Sequence, residues 1–246
     1  MATWNPWHGC TKVSTGCSKC YVYRRDAEFG KDASVVKKTA SFDLPIKKNR
    51  QKQYKLQPDG EYVYTCFTSD FFHPAADDWR IDAWAMMRER SDLEFYFITK
   101  RPERFHVSLP GDWGDGYENV HICCTCENQQ MANRRLPIFL ELPIRHKEII
   151  HEPMLEAVNI RPWLKEYHSE IELVSCGGES GDDARVCDFG WVLNTMNQCV
   201  EYDVPFHFHQ TGYNFRRNGR VYHIPRKDQH TQAAKAGVDY PPINSK

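Results

Sequence analysis

Six short segments rich in aromatic and β-branched residues alternate with helix-like segments, and that alternation limits the fold more than any other feature. Residues 62–68, 94–99, 120–125, 148–151, 171–176 and 204–209 have the length and composition of buried strands. Helical spacing fills the gaps. It runs over 78–90 through Trp79, Ile81, Trp84 and Met87, over 128–142 with an interruption at Pro137, and over 161–167 and 189–202. A further helix, 20–29, precedes the first strand and stops at Gly30. Strands separated by helices pair in parallel. With 246 residues, the chain has a length that α/β barrels reach as one unit. The expected fold is therefore α/β, a parallel (β/α) partial or full TIM-type barrel. Such folds carry reactive groups where strands end. The strands here end at Ser69-Asp70, Lys100-Arg101, Glu127-Asn128, Glu152-Pro153, Gly177-Gly178-Glu179 and His209-Gln210.

Ahead of the strands, Cys10, Cys17 and Cys20 are spaced C-x6-C-x2-C in a loop with Gly9 and Gly16. Thiolates are soft ligands that suit an iron–sulfur cluster or zinc. Three of them on a four-iron cluster leave one iron open to an outside ligand. With His8 included, the same loop makes a closed Cys3His zinc site. Cysteines are also small residues that pack well in cores. The spacing alone leaves all three readings open.

Charge is unevenly spread. Residues 1–60 carry 12 Lys and Arg against 5 Asp and Glu, and the remainder 20 against 28. The basic excess peaks at Lys37-Lys38 and across 47–55, a run able to contact phosphates or simply to face solvent. No apolar run approaches the ~20 residues that span a bilayer, so no membrane role is expected. Ten cysteines behind a start lacking a basic, apolar leader predict reduced thiols and a cytoplasmic location.

The stretch from Trp4 to Tyr21, Trp-Asn-Pro-Trp-His-Gly-Cys-Thr-Lys-Val-Ser-Thr-Gly-Cys-Ser-Lys-Cys-Tyr, resembles the opening of a family of phage and bacterial proteins of undefined activity, described as three-cysteine, radical-SAM-like proteins. Further matches are Ser69-Asp-Phe-Phe-His73, Ile98-Thr-Lys-Arg-Pro-Glu-Arg104, Glu152-Pro-Met-Leu155, Gly177-Gly-Glu-Ser-Gly181 with Ala184-Arg185, and Val204-Pro-Phe-His-Phe-His-Gln210. They cover most of residues 4–212. The resemblance implies a radical-SAM-type barrel over 1–212, a C-terminal extension over 213–246, and a [4Fe–4S] cluster on Cys10, Cys17 and Cys20. It implies S-adenosyl-L-methionine as cofactor, cleaved to a 5′-deoxyadenosyl radical by an electron from an external donor. Three features depart from pattern: six residues rather than three separate the first two cysteines, Gly177-Gly178-Glu179 follows a late strand, and His209 stands where a lysine is expected.

Within that reading, Ser69, Lys100, Arg101, Gly177, Gly178 and Glu179 are the expected cofactor contacts. Lys100 or Arg101 would meet the methionine carboxylate, and Glu127, Glu152 or Glu179 its ammonium. Backbone around Gly177-Gly178 would approach the ligand at a helix start. Glu127, Glu152, His207 and His209 are the candidate catalytic groups. The basic region points to a nucleotide or nucleic-acid substrate. Cys123, Cys124, Cys126 and Cys176 offer a second cluster or, more simply, core packing. Two rival functions remain: a zinc-bound barrel on His8, Cys10, Cys17 and Cys20 that binds nucleic acid, and an enzyme whose carboxylates and histidines run hydrolysis or proton transfer.

Overall fold

The computed structural model describes residues 2–241. The chain divides into two units that interleave in sequence. Among the described residues, the first takes in 2–12, Val22–Cys123 and Glu141–His146; the second takes in Val13–Tyr21, Cys124–Leu140 and 147–241.

In the first unit, β1 (Ala2–Trp4), β2 (Tyr62–Thr65), β3 (Glu94–Thr99) and the start of β4 (Val120–Thr125) lie side by side. β1 pairs in parallel with β2 (Trp4 opposite Thr65), and β2 with β3 (Tyr64 opposite Tyr96). Side chains alternate across a strand, and β3 shows why its run of aromatics works there. Phe95 and Phe97 face a helical layer, where Phe97 stacks on Phe71 at 4.3 Å and Trp84 meets Phe71 at 4.7 Å. Tyr96 turns to the opposite face and joins Tyr62, Tyr64 and Phe67. Two helices belong here: α1 (Tyr21–Glu28), all but its first residue, and α2 (Asp77–Glu89).

The second unit holds the end of β4, β5 (His146–His151) from Lys147, β6 (Ile171–Gly177) and β7 (Phe206–Gln210). Cys126 N–H donates to Ile150 O at 2.8 Å. β6 is flanked in parallel by β5 (Ile149 opposite Val174) and β7 (Phe208 opposite Cys176). Its helices are α3 (Gln129–Leu140), α4 (Arg161–Tyr167), α5 (Phe189–Glu201) and α6 (Gln229–Ala234). Residues 213–241 are part of this unit, with Tyr240 bridged to Phe206; residues 242–246 of the expected extension lie outside the described residues.

The α/β class and the parallel sheet are as expected, and the seven strands run in sequential order, β1 to β7. Four details differ. β1 is not foreseen from sequence, because three residues carry no readable periodicity. Helix α3 continues through Pro137, since Leu136, Phe139 and Leu140 are all buried and packing outweighs one lost backbone bond. Asn214–Arg217 and Arg220–His223 form a hairpin that extends from Cys187–Asp188. Its turn, Asn218-Gly219, has positive φ at both residues, the geometry a two-residue hairpin favours. Finally, Ile81 does not belong to the apolar stripe of α2, being 59% exposed while Trp84 and Met87 are buried.

That last difference gives a direct contrast. Phe97→Ala should cost about 3–5 kcal/mol of stability in denaturant unfolding, the usual loss for a fully buried aromatic. Ile81→Ala should stay within about 0.5 kcal/mol of wild type.

Candidate functional site

In the first unit, Cys10 sits over the ends of β2 and β3. Its N–H donates to Ala33 O at 2.8 Å, while the preceding Gly9 donates to Thr68 O at 3.1 Å. Ser69, an expected cofactor contact, donates from Oγ to Gly9 O and so holds the loop backbone. Beyond β3, Arg101 is buried, yet it makes a dense set of polar contacts. It reaches the Cys10 sulfur at 3.5 Å, Thr11 O at 2.7 Å and Asp70 Oδ2 at 3.0 Å. Asp70 in turn accepts from Thr99 Oγ1 at 2.8 Å, Lys100 N–H at 2.9 Å and Phe72 N–H at 3.0 Å. Burial alone would raise the Asp70 carboxyl, but Arg101 and these donors outweigh it and hold it below its ordinary value. Burial lowers His73 to about 4, with Arg101 adding to the effect. The ring is therefore neutral near pH 7; Nδ1 accepts from Ala75 N–H, and Nε2 lies 3.0 Å from Thr11 Oγ1 and 3.3 Å from Thr11 N.

The remainder of the cysteine loop belongs to the second unit and is anchored in the same manner. Gly16 N–H donates to Glu127 Oε1 at 3.2 Å, and a Cβ at Gly16 would sit 2.8 Å from that carboxylate, so only glycine fits. Glu127, wholly buried, is paired with Arg135 at 2.6 Å. Asn128 Nδ2 donates to Thr15 Oγ1 at 3.1 Å, and Arg185 Nη1 to Thr15 O at 3.0 Å. Arg185 also clasps Glu179, through Nε at 3.0 Å and its own N–H at 2.8 Å.

The residues after β6 depart from expectation. No helix begins at Gly177-Gly178-Glu179; the next is α5, whose first turn is capped by Asp188. The two glycines make room for the protein itself. A Cβ at Gly177 would lie 2.8 Å from the Glu152 carboxylate, and one at Gly178 would strike Thr211 O. Glu152 is joined by His209 Nδ1 at 2.8 Å and by Gln210 Nε2. The rings of His209 and His230 are 4.7 Å apart. His207, the fourth catalytic candidate, is instead 3.2 Å from Asp239. Among the three acidic candidates, side-chain exposure is 20% for Glu152, 8% for Glu179 and none for Glu127.

The ten thiols separate cleanly. Cys10, Cys17 and Cys20 are half-exposed and the other seven are buried. Burial pushes Cys66, Cys126 and Cys176 well above the ordinary thiol value, and Cys187 and Cys199 to about 12. Cys123, Cys124, Cys126 and Cys176 all lie in the core, which favours packing over a second cluster. In the first unit, His8 Nε2 bonds Asp26 Oδ2 at 2.6 Å. The basic run over 47–55 forms a short exposed turn in which Lys55 N–H bonds Lys47 O at 2.7 Å and Lys48 lies over the Tyr54 ring. Among the residues of the site, Asp70 is marked by the sequence only as a strand-end residue, and Arg135 and Arg185 are not identified as site residues by it. Asp70 and Arg185 lie inside matching motifs, whereas Arg135 carries no such signal.

A family model described as "Protein of unknown function (DUF5131)" matches residues 1–239, so the chain belongs to that family. No curated protein and no solved structure matches it.

The Glu152–His209 pair should be visible in stability against pH. Burial would raise Glu152, but the His209 hydrogen bond and charge, with Gln210, hold it below 4.5; its contribution is lost as pH falls through that lowered value. Burial would lower His209, but Glu152 lifts it above 6.5; its contribution is lost as pH rises through that raised value. Unfolding midpoints should therefore lose this contribution on both sides of a plateau between about 4.5 and 6.5. Glu152→Gln should flatten both flanks.

Proposed function

We propose that the chain is a radical-SAM-type enzyme in which Cys10, Cys17 and Cys20 hold a [4Fe–4S] cluster and S-adenosyl-L-methionine binds beside it. The observation that carries this reading is the separation of the thiols: only the three spaced C-x6-C-x2-C stay half-exposed, while seven others are buried. The donor set fits the group. Thiolates are the ordinary protein ligands of such clusters, and three of them leave an open iron. A sequentially ordered parallel sheet with polar groups at its strand ends supports a partial barrel of the radical-SAM kind.

When bound, the cluster with adenosylmethionine supplies one-electron chemistry able to break an unreactive C–H bond, using an electron from an external donor. The protein's own residues have other tasks. Arg101 keeps positive charge beside the Cys10 sulfur, and Asp70 fixes its direction. Glu127 and Arg185 hold the loop backbone at Gly16 and Thr15. Glu152 is the carboxylate best suited to the cofactor's ammonium, because it is the most exposed of the three, Glu127 being sealed and Glu179 nearly so. A proton on His209 Nδ1, donated to Glu152 Oε2, is available for acid–base work. Lys100, whose backbone is fixed by Asp70, offers a cation for the methionine carboxylate. The exposed basic turn over 47–55 supports a nucleotide or nucleic-acid substrate, and the reduced thiols a cytoplasmic setting.

One observation favours the zinc rival. His8 Nε2 is tied to a carboxylate, as metal-bound histidines commonly are. Anaerobic purification separates the two readings. The cluster predicts a brown protein with about four irons per chain, lost on Cys10→Ala, Cys17→Ala or Cys20→Ala and kept in Cys66→Ala and Cys187→Ala. A colourless protein with one zinc, released by His8→Ala, would establish the rival instead.

The substrate class has its own test. Neutralising Lys47, Lys48, Arg50 and Lys52 should weaken binding of a single-stranded oligonucleotide. Each phosphate that is no longer neutralised should reduce the salt slope by about 0.7. Absence of wild-type binding at low salt would point to a small free substrate.

A further inference from the structure

In the second unit, the hairpin of Asn214–Arg217 and Arg220–His223 presents a surface that neither the cysteine loop nor the Glu152–His209 pair uses. From residue 213 to residue 227 the chain holds Arg216, Arg217, Arg220, Arg226 and Lys227, and no Asp or Glu. We propose that this hairpin grips the phosphate backbone of a B-form DNA duplex, which rests on the nucleic-acid reading given above and narrows it. The residues are separate from the basic turn over 47–55, which belongs to the first unit.

The register of the hairpin sets two like charges together. Arg217 lies directly opposite Arg220, and the residues between them, Asn218 and Gly219, have φ of 52° and 75° and make the tight turn. Directly opposed side chains share a face, with Cβ atoms about 4.5–5.5 Å apart, and like charges so placed repel. Among the described residues neither arginine is paired with a carboxylate. Arg217 lies over the Phe189 ring at 4.7 Å, and Arg220 over the Tyr222 ring at 5.1 Å. Arg216 differs, being paired with Asp188. A phosphate between the two guanidinium forks relieves the repulsion and accepts charge-assisted bonds from both. The rings beneath the forks limit their rotamers, so less ordering is needed when the anion arrives.

The spread of charge favours a polymer over a single phosphate. Arg220–His223 is about 10 Å long, and Arg226 and Lys227 follow it, exposed and likewise without a carboxylate among the described residues. One strand of a duplex presents a phosphate every ~3.4 Å along its axis, so about three fall within that length. Shape favours the duplex, because the major groove of B-form DNA admits a two-stranded ribbon. The rings of the hairpin are already engaged: Phe215 is buried against Phe189 and Phe208, Tyr213 meets His223 at 5.6 Å, and Tyr222 lies under Arg220. Single-strand binders instead keep aromatic faces open for stacking bases.

A fluorescein-labelled duplex of about 20 base pairs, titrated with the full-length protein and read by anisotropy between about 50 and 200 mM salt, tests this. Arg217→Ala/Arg220→Ala should weaken binding at least about 10-fold and reduce the salt slope by about 1.8, for two phosphates at about 0.9 each. Arg217→Lys/Arg220→Lys should keep the slope and lose part of the affinity, because the charge stays and the fork goes. Both arginines are exposed, so each variant should keep the wild-type circular dichroism. Should the alanine pair misfold, Arg226→Gln/Lys227→Gln, beyond the strands, should lower the slope to the same extent. Wild-type affinity and slope in these variants, or no saturable wild-type binding at about 50 mM salt, overturns the proposal. So does binding to phosphatidylserine vesicles alone, which puts a membrane on this face. A hairpin-dependent change of oligomeric state without a change in DNA affinity puts a second copy there and is equally fatal. The variant neutralised at Lys47, Lys48, Arg50 and Lys52 runs alongside. Loss of binding there with an unaffected hairpin variant removes the hairpin and keeps the basic turn; the reverse keeps the hairpin alone.

Discussion

Glu127 has no contact with solvent, so protein groups must replace all the water its carboxylate has given up. Arg135 supplies two bonds to this corner, one to the carboxylate and one to Thr125 O, and Gly16 N–H supplies another. Removing one partner of a buried pair costs about 3–5 kcal/mol, whereas swapping both partners for apolar groups is often neutral. Stability alone therefore gives no reason to keep the pair. Position does: an apolar pair could fill the volume, but it could not accept from Gly16. The carboxylate fixes where the cysteine loop lies on the end of β4, and glycine at 16 is the condition for that approach.

The first unit solves the same problem with different residues. Asp70 gathers three donors and Arg101, and Arg101 passes that fixed direction on to Cys10 and Thr11. A lone guanidinium buried this deeply would be costly. With Asp70 and the Cys10 sulfur beside it, Arg101 stays protonated although burial opposes this. Loop and strand ends are thus linked by charge-assisted hydrogen bonds in each unit. Such bonds are directional and lose much of their strength with small displacements, so they define the loop more sharply than apolar contact could.

What can be read from sequence follows from how local each signal is. Aromatic runs such as Glu94–Thr99 declare a strand because nearly every residue along them is buried or half-buried. The cysteine triplet is equally local. The three residues of β1 are too few to show a period, and the polar, largely exposed Asn214–Arg217 hairpin hides its strands even though Asn218-Gly219 marks the turn. Gly177 and Gly178 are ambiguous for a different reason. A glycine pair announces a close approach but not whose atoms approach; here they are those of Glu152 and Thr211. Arg135 stands eight residues beyond Glu127 across a strand-to-helix turn, and His121 meets His146 only through the folding of separate strands. No periodicity reports contacts of that kind.

Strand length gives the first unit a further property. β3 runs six residues from Glu94 to Thr99, so its two ends lie roughly 16–17 Å apart along extended chain. The Cys10 contacts gather at one end of that distance, and the stacked imidazoles of His121 and His146 at the other. Charge reinforces the difference: Arg101 and Lys100 lie at the cysteine end, and Glu61, Glu94 and Glu118 at the imidazole end. At both ends the charges are held in local pairs, Arg101 with Asp70 at the first and Glu118 with Arg145 at the second. The two ends of one short parallel sheet differ chemically because the residues that begin these strands differ in kind from those that end them.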